Sequence, residues 1–199
     1  MASAAPHRQE ADEAIARAAA LLPTEPDAAH AVAMKVLQRF PQDAGALRLL
    51  AKAMAAQGRP QEAAIARARA VQASRHDPRI VSAHQAVVAG ELTKALEMLA
   101  PQIRAHPDDP VARLIEGQAL LHSGRMAEAL AAFEAALAFM PEYREARLGL
   151  ARAHYQRFDP QAALAALEPL AGPDSKDLPL LHWKATMLAE AGEQRQALG

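Results

Sequence analysis

Ala95, Ala129 and Ala163 stand 34 residues apart, and Ala197 continues the count. A period of that length, sustained along a chain, marks stacked helical or mixed repeats rather than one closed domain, because each unit can bury its apolar face only against its neighbours. Gly90, Gly124 and Gly192 keep the same interval, with Phe158 in the slot between the last two, and Pro107 and Pro141 are also 34 apart. Two columns held in register over at least three units, and a third over two, predict a solenoid of helix pairs.

Composition favours helices over sheets. Of 199 residues, 51% are hydrophobic but only 4% aromatic, and about a quarter are alanine. Alanine adds little area to a core, yet it has the best helix propensity and lets helices approach closely. β-branched and aromatic runs, which strands need, are nearly missing.

The unit at 110–143 is the clearest. Pro110 suits a first helical turn, where a missing N–H costs nothing. An apolar-rich helix runs to about Leu121, and Ser123-Gly124 closes it, glycine supplying the left-handed cap. A second helix spans about Met126 to Phe139, with Ala129, Phe133, Ala136 and Leu137 at helical spacing. Pro141 prevents its continuation. The neighbours follow in phase at 76–109 (Ala83, Gly90, Ala95, Leu99, Pro107) and 144–177 (Ala151, Ala163, Leu167, with Phe158-Asp159-Pro160 as the turn). The unit at 44–75 has Ala51, Gly58 and Ala63, is two residues short and lacks the closing proline. A weaker unit lies at about 10–43 after a tail at 1–9, and a partial one occupies 178–199. This last unit holds a first helix and only the opening turn of a second, which predicts a fragment of a longer protein. Its uncapped apolar face predicts homodimerisation through the C-terminal end.

The order Gly117, Leu120, Ala129, Phe133, Ala136, Pro141 resembles the tetratricopeptide repeat. Arg113 and Glu116 depart from it, standing where the family usually has Trp and Leu. The resemblance implies an all-α fold, a right-handed α-solenoid of stacked helix-turn-helix units whose first helices face a concave peptide-binding groove. Carried over by offset, the groove positions include Arg48, Lys52, His84, Gln118, His122, Arg152 and Tyr155. Beside them come the apolar Leu114, Ile115, Leu121 and Leu148, then Gln156, His182 and Trp183. The expected function is a non-catalytic interaction scaffold that binds a peptide or protein segment. The chaperone-binding carboxylate clamp of the family needs asparagine on these helices, and the chain contains none.

Other functions find little footing. Net charge is −1, so no overall field attracts nucleic acid or anionic lipid. The stretch 44–75 is basic (Arg48, Lys52, Arg59, Arg67, Arg69 and Arg75 against Glu62), but these charges divide between two helix faces and no aromatics interleave them. No pair among the eight histidines has the i, i+4 spacing of a helical metal site, and there is no cysteine to complete one, so neither metal nor cofactor is expected. Phosphate loops and nucleophile elbows are missing too. Mixed charges fill the N-terminus where a leader would be apolar, and no run of eighteen apolar residues exists, so the expectation is a cytoplasmic protein without a membrane span. The column of Ser82, Glu116 and Lys184, usually leucine, suggests an inter-repeat ion pair or a polar floor to the groove.

Residues 33–63 and 178–198 are also similar to the N-terminal repeat arrays of bacterial sulfotransferases, which precede a domain that uses phosphoadenylyl sulfate. That resemblance implies an alternative, a substrate-recognition or docking array for an enzyme lying beyond residue 199. It places no catalytic residue in this chain.

Overall fold

The computed structural model describes residues 4–171 and 176–198. Their regular structure consists of α1 (Ala4–Leu21), α2 (Pro26–Arg39), α3 (Ala44–Ala56), α4 (Pro60–Arg75), α5 (Pro78–Val88), α6 (Leu92–Ala105), α7 (Pro110–His122), α8 (Met126–Phe139), α9 (Arg144–Gln156), α10 (Pro160–Leu167) and α11 (Leu178–Leu198). Described residues include no strand.

Both ends of these helices follow from local chemistry. Pro26, Pro60, Pro78, Pro110 and Pro160 each open a helix at a position where the backbone N–H has no partner to lose. Aspartates cap the first helix of several pairs. Asp43 Oδ1 accepts from the N–H of Ala46 at 2.6 Å, and Asp109 Oδ1 accepts from Val111 and Ala112 at 3.0 and 3.3 Å. Asp77 Oδ1 accepts from Arg79 at 2.9 Å and Asp177 Oδ1 from Leu180 at 3.1 Å. Tyr143 fills the corresponding slot before α9 and offers no side-chain bond. Within each of four pairs the turn is made by one residue in the left-handed region: Gly58 at φ 72°, Gly90 and Gly124 at 77°, and Phe158 at 61°. Phenylalanine there carries the steric cost that glycine avoids.

The chain divides into two compact units, Met1–Val81 and Ser82–Gly199. In the first, α2 and α4 pack on α3, burying Ala29, Ala33, Leu47, Leu50, Ala63 and Ala70. Helix α1 lies beside α2 and α3, and it begins at Ala4, so residues 4–9 are helical rather than the tail expected from sequence. The physical reason is Arg8, whose guanidinium pairs with the buried Asp43 at 2.6 Å and lies over the Phe40 ring.

In the second unit, α7, α8 and α9 share a core centred on the fully buried Phe133. A Cβ added at Gly117 would stand 2.6 Å from that ring, and one at Gly149 would also fall inside van der Waals contact. The two glycines bring the α7 and α9 backbones against the aromatic faces. A further cluster holds α9, α10 and α11 together through Ala151, Ala163, Leu167, Leu180 and Met187.

Two sequence expectations shift. The two-residue shortening assigned to 44–75 lies in α5, which has 11 residues where α3, α7 and α9 have 13. Asp77 caps α5 and fixes that boundary, a signal the alanine register alone does not carry. Gly192 does not end a helix: α11 runs through it unbroken. Ala-Gly-Glu does turn at Gly90, so local sequence is not decisive. The side chain of Ala197 lies outside the described residues.

Candidate peptide-binding face

Helices α7, α9 and α11 present corresponding sides to one another's neighbours because their buried positions recur at the repeat interval. Ala112, Ala146 and Leu180 form one buried column and Ala119, Ala153 and Met187 a second. Helix rotation is thereby fixed. Away from these columns stand Gln118, half-buried on α7, exposed His122 at its end, and exposed Arg152 on α9. Tyr155, half-buried, meets Trp183 of α11 edge-on, with ring centroids 6.5 Å apart and planes at 79°. Leu148 and Trp183 pack partly against the α9–α11 cluster and extend this apolar flank.

The Arg152 guanidinium makes no hydrogen bond or ion pair with any described residue. Its neighbours in the same unit are committed. Arg113 bonds Glu116 at 3.0 Å, Arg125 bonds Glu128, and Arg144 bonds Asp177. Arg147 Nε donates to the Pro141 carbonyl at 2.7 Å, repeating one unit later the bond from Arg113 Nε to the Pro107 carbonyl at 3.0 Å. Arginine thus ties the loop before the helix to its first turn in the slot where Trp is usual. Glu116 forms its ion pair within α7 and not between repeats. Lys184 does join two helices, reaching Glu168 beyond α10 at 2.8 Å and the Ala171 carbonyl at 3.1 Å.

Other expected groove residues are placed differently. Arg48 is only 2% exposed, with Nη1 donating to Ser74 Oγ at 3.4 Å, so it is no open groove cation. Gly45 explains the burial: a Cβ there would lie 3.5 Å from Ile15 of α1 and 3.9 Å from the Arg48 guanidinium, so α1 closes over this part of α3. Lys52 on α3 is exposed, within the first unit. His84 is exposed on α5 between the exposed Val81 and Val88. Leu114, Ile115 and Leu121 are buried and serve the core of α7. Among the described residues no three acidic or histidine side chains could share a metal ion.

A family model described as the tetratricopeptide repeat matches residues 24–78 and 81–141, and a second of the same description matches 120–190. The chain belongs to the tetratricopeptide repeat family. A solved tetratricopeptide repeat protein from Parabacteroides merdae ATCC 43184 aligns with 96% of this chain and 77% of its own, at TM-score 0.51 and 19% identity. The Cut9–Hcn1 hetero-tetramer of the APC/C aligns over 90% of this chain and 36% of that one, at TM-score 0.52 and 19% identity. Likeness at this identity establishes the shared fold. A comparison with curated proteins gave no match. The similarity to sulfotransferase arrays gains no support from these findings. Among the described residues no helix is long and apolar enough to cross a membrane.

Proposed function

We propose that the chain is a non-catalytic scaffold of the cytoplasm whose repeating helix pairs hold a peptide or protein segment, and that the face of α7, α9 and α11 is one docking site. Tetratricopeptide repeats in general mediate contacts between proteins. The observation that carries the reading for this chain is Arg152: exposed, without a described partner, and set beside Gln118, His122 and the Tyr155–Trp183 pair. A guanidinium held in water on the middle of a helix contributes little to folding. Its value lies in what can reach it.

Affinity capture from a lysate, read by mass spectrometry, tests this with wild type against Arg152→Glu. The expected result is a polypeptide retained by wild type and lost by the variant, with helical content and melting temperature unchanged. Equal capture by both proteins would remove α9 from the site. Lys52→Glu and His84→Ala, run in parallel, assign or dismiss those positions.

Self-association is a second reading, favoured by Leu178 and Leu188, both more than half exposed on α11. Sedimentation equilibrium on wild type and Leu188→Glu decides it. A dimer that becomes a monomer supports that reading, and a monomer in both ends it. Service to a larger enzyme remains the alternative for the same face, and a captured catalytic subunit would favour it.

A further inference from the structure

We infer that the face of α7, α9 and α11 recognises an extended acidic segment of a partner protein, its carboxylates meeting a diagonal row formed by His122, Arg152 and His182. This deepens the docking reading above and rests on it. The three residues follow one another at intervals of 30 in a chain whose repeat is 34, so each lies one helical turn earlier on the next helix of the series. The two buried columns give these helices the same rotation. A residue and those four before or after it share a helix face. His122, Arg152 and His182 therefore form one oblique line of exposed side chains across the three helices.

All three side chains are exposed, and none has a hydrogen bond or ion pair with a described residue. That sets them apart from Arg113, Arg125, Arg144 and Lys184, each of which holds a carboxylate. Acids are sparse here: on α7 and α9, Glu116 is bonded to Arg113, and Glu145 lies seven residues before Arg152. The line thus offers a guanidinium fork between two imidazoles, each with an N–H to donate. A row in which every member presents an N–H and none is a carboxylate is complementary to carboxylates.

Geometry sets the spacing of the ligand. Packed helices lie roughly 8–10 Å apart, and an extended polyproline II segment advances about 3.1 Å per residue with three residues per turn. Such a segment crossing the three helices would meet a new one every third residue, with the same side of its chain turned to each. Acids at i, i+3 and i+6 then face the row, and the residues between can rest on Leu148 and the Tyr155–Trp183 pair. A nucleic acid fits less well, because the row holds one permanent charge and phosphate binding depends on many.

Fluorescence anisotropy with the full chain and a labelled peptide Glu-Ser-Thr-Glu-Ser-Thr-Glu tests the inference. The peptide should bind at least about tenfold more tightly than its Gln counterpart, as expected when charge-assisted bonds are lost. Arg152→Ala should weaken it by a similar factor, His122→Ala and His182→Ala each by less, and Arg104→Ala, on α6, should leave it unchanged. Equal affinity for the Glu and Gln peptides, or indifference to Arg152→Ala, would overturn the inference. So would a preference for a single-stranded oligonucleotide over the peptide. If the peptide fails while Arg152→Glu still abolishes capture of a partner, the acidic row falls and the docking face stands. If capture is unaffected as well, both fall.

Discussion

Phe133 is enclosed by backbone on two sides, because Gly117 and Gly149 present no side chain to its ring. The relation is one of volume. Where the second helix of a pair carries Leu99 or Leu167 in place of phenylalanine, the first helix carries Ala83 or Ala151 in place of Gly117, and both are buried. Gly117 belongs to the repeat signature and is legible in sequence. Gly149 is not, since its need arises from a ring on another helix. Alanine ordinarily stabilises a helix interior over glycine by about 1 kcal/mol, so Gly149→Ala separates the two effects. Overpacking against Phe133 should win, with a net loss of about 1–2 kcal/mol in chemical denaturation. A gain would mean that the ring moves aside freely. Phe158 gives the opposite case. It is 86% exposed at φ 61°, in the slot where Gly58, Gly90 and Gly124 sit without strain. Phe158→Gly should raise stability by about 1 kcal/mol, measured the same way, because relief of the left-handed conformation exceeds any contact the exposed ring makes.

At the level of helices, the sequence made the pairs legible because turn glycines and opening prolines act locally. Capping aspartates were less so: Asp43, Asp77, Asp109 and Asp177 declare themselves only through bonds to the backbone of the helix that follows. Exposure was legible least. Arg48 and Arg152 both stand at positions carried over to the groove, one helical turn apart in the repeat, yet Arg48 is buried and Arg152 exposed. The caps predict a response to acid. The N–H of Leu180 holds the Asp177 carboxyl below its usual range, aided by the Arg144 guanidinium against the opposing effect of lost hydration. Burial pushes Asp77 up, but hydrogen bonds and charge from Arg79, with a contribution from Arg8, outweigh it and leave that carboxyl low as well. A carboxyl whose folded value is depressed stabilises the fold above its unfolded value and loses that contribution as pH falls through the folded one. With ordinary aspartate at 3.8, the melting temperature should hold from neutrality to about pH 4 and fall below it. The double variant Asp77→Asn, Asp177→Asn should melt lower at pH 7 and show a smaller acid decline. An undiminished decline would place the acid sensitivity elsewhere.

For the molecule as a whole, stability in a repeat protein is the sum of contributions from units and their nearest neighbours. Damage should then spread only as far as the packing that transmits it. Phe133 is the test residue, since the glycines that enclose it belong to α7 and α9 and no others. Phe133→Ala removes a fully buried ring, a change that costs about 3–5 kcal/mol in a core that cannot collapse. Collapse is limited here, because the two glycines carry no side chain to move into the space. Hydrogen exchange under native conditions should show amides of α7, α8 and α9 losing protection by an amount close to that cost. Helices α2 and α3 form a core of their own around Leu47, Leu50 and the alanines of the first unit, and their amides should keep wild-type protection. Uniform loss across every helix would instead reveal one cooperative transition and contradict additive repeats. The same experiment bears on the docking face. Arg152 and Tyr155 ride on α9, so the variant should also weaken capture of the partner lost by Arg152→Glu, although Phe133 itself is fully buried and out of a ligand's reach.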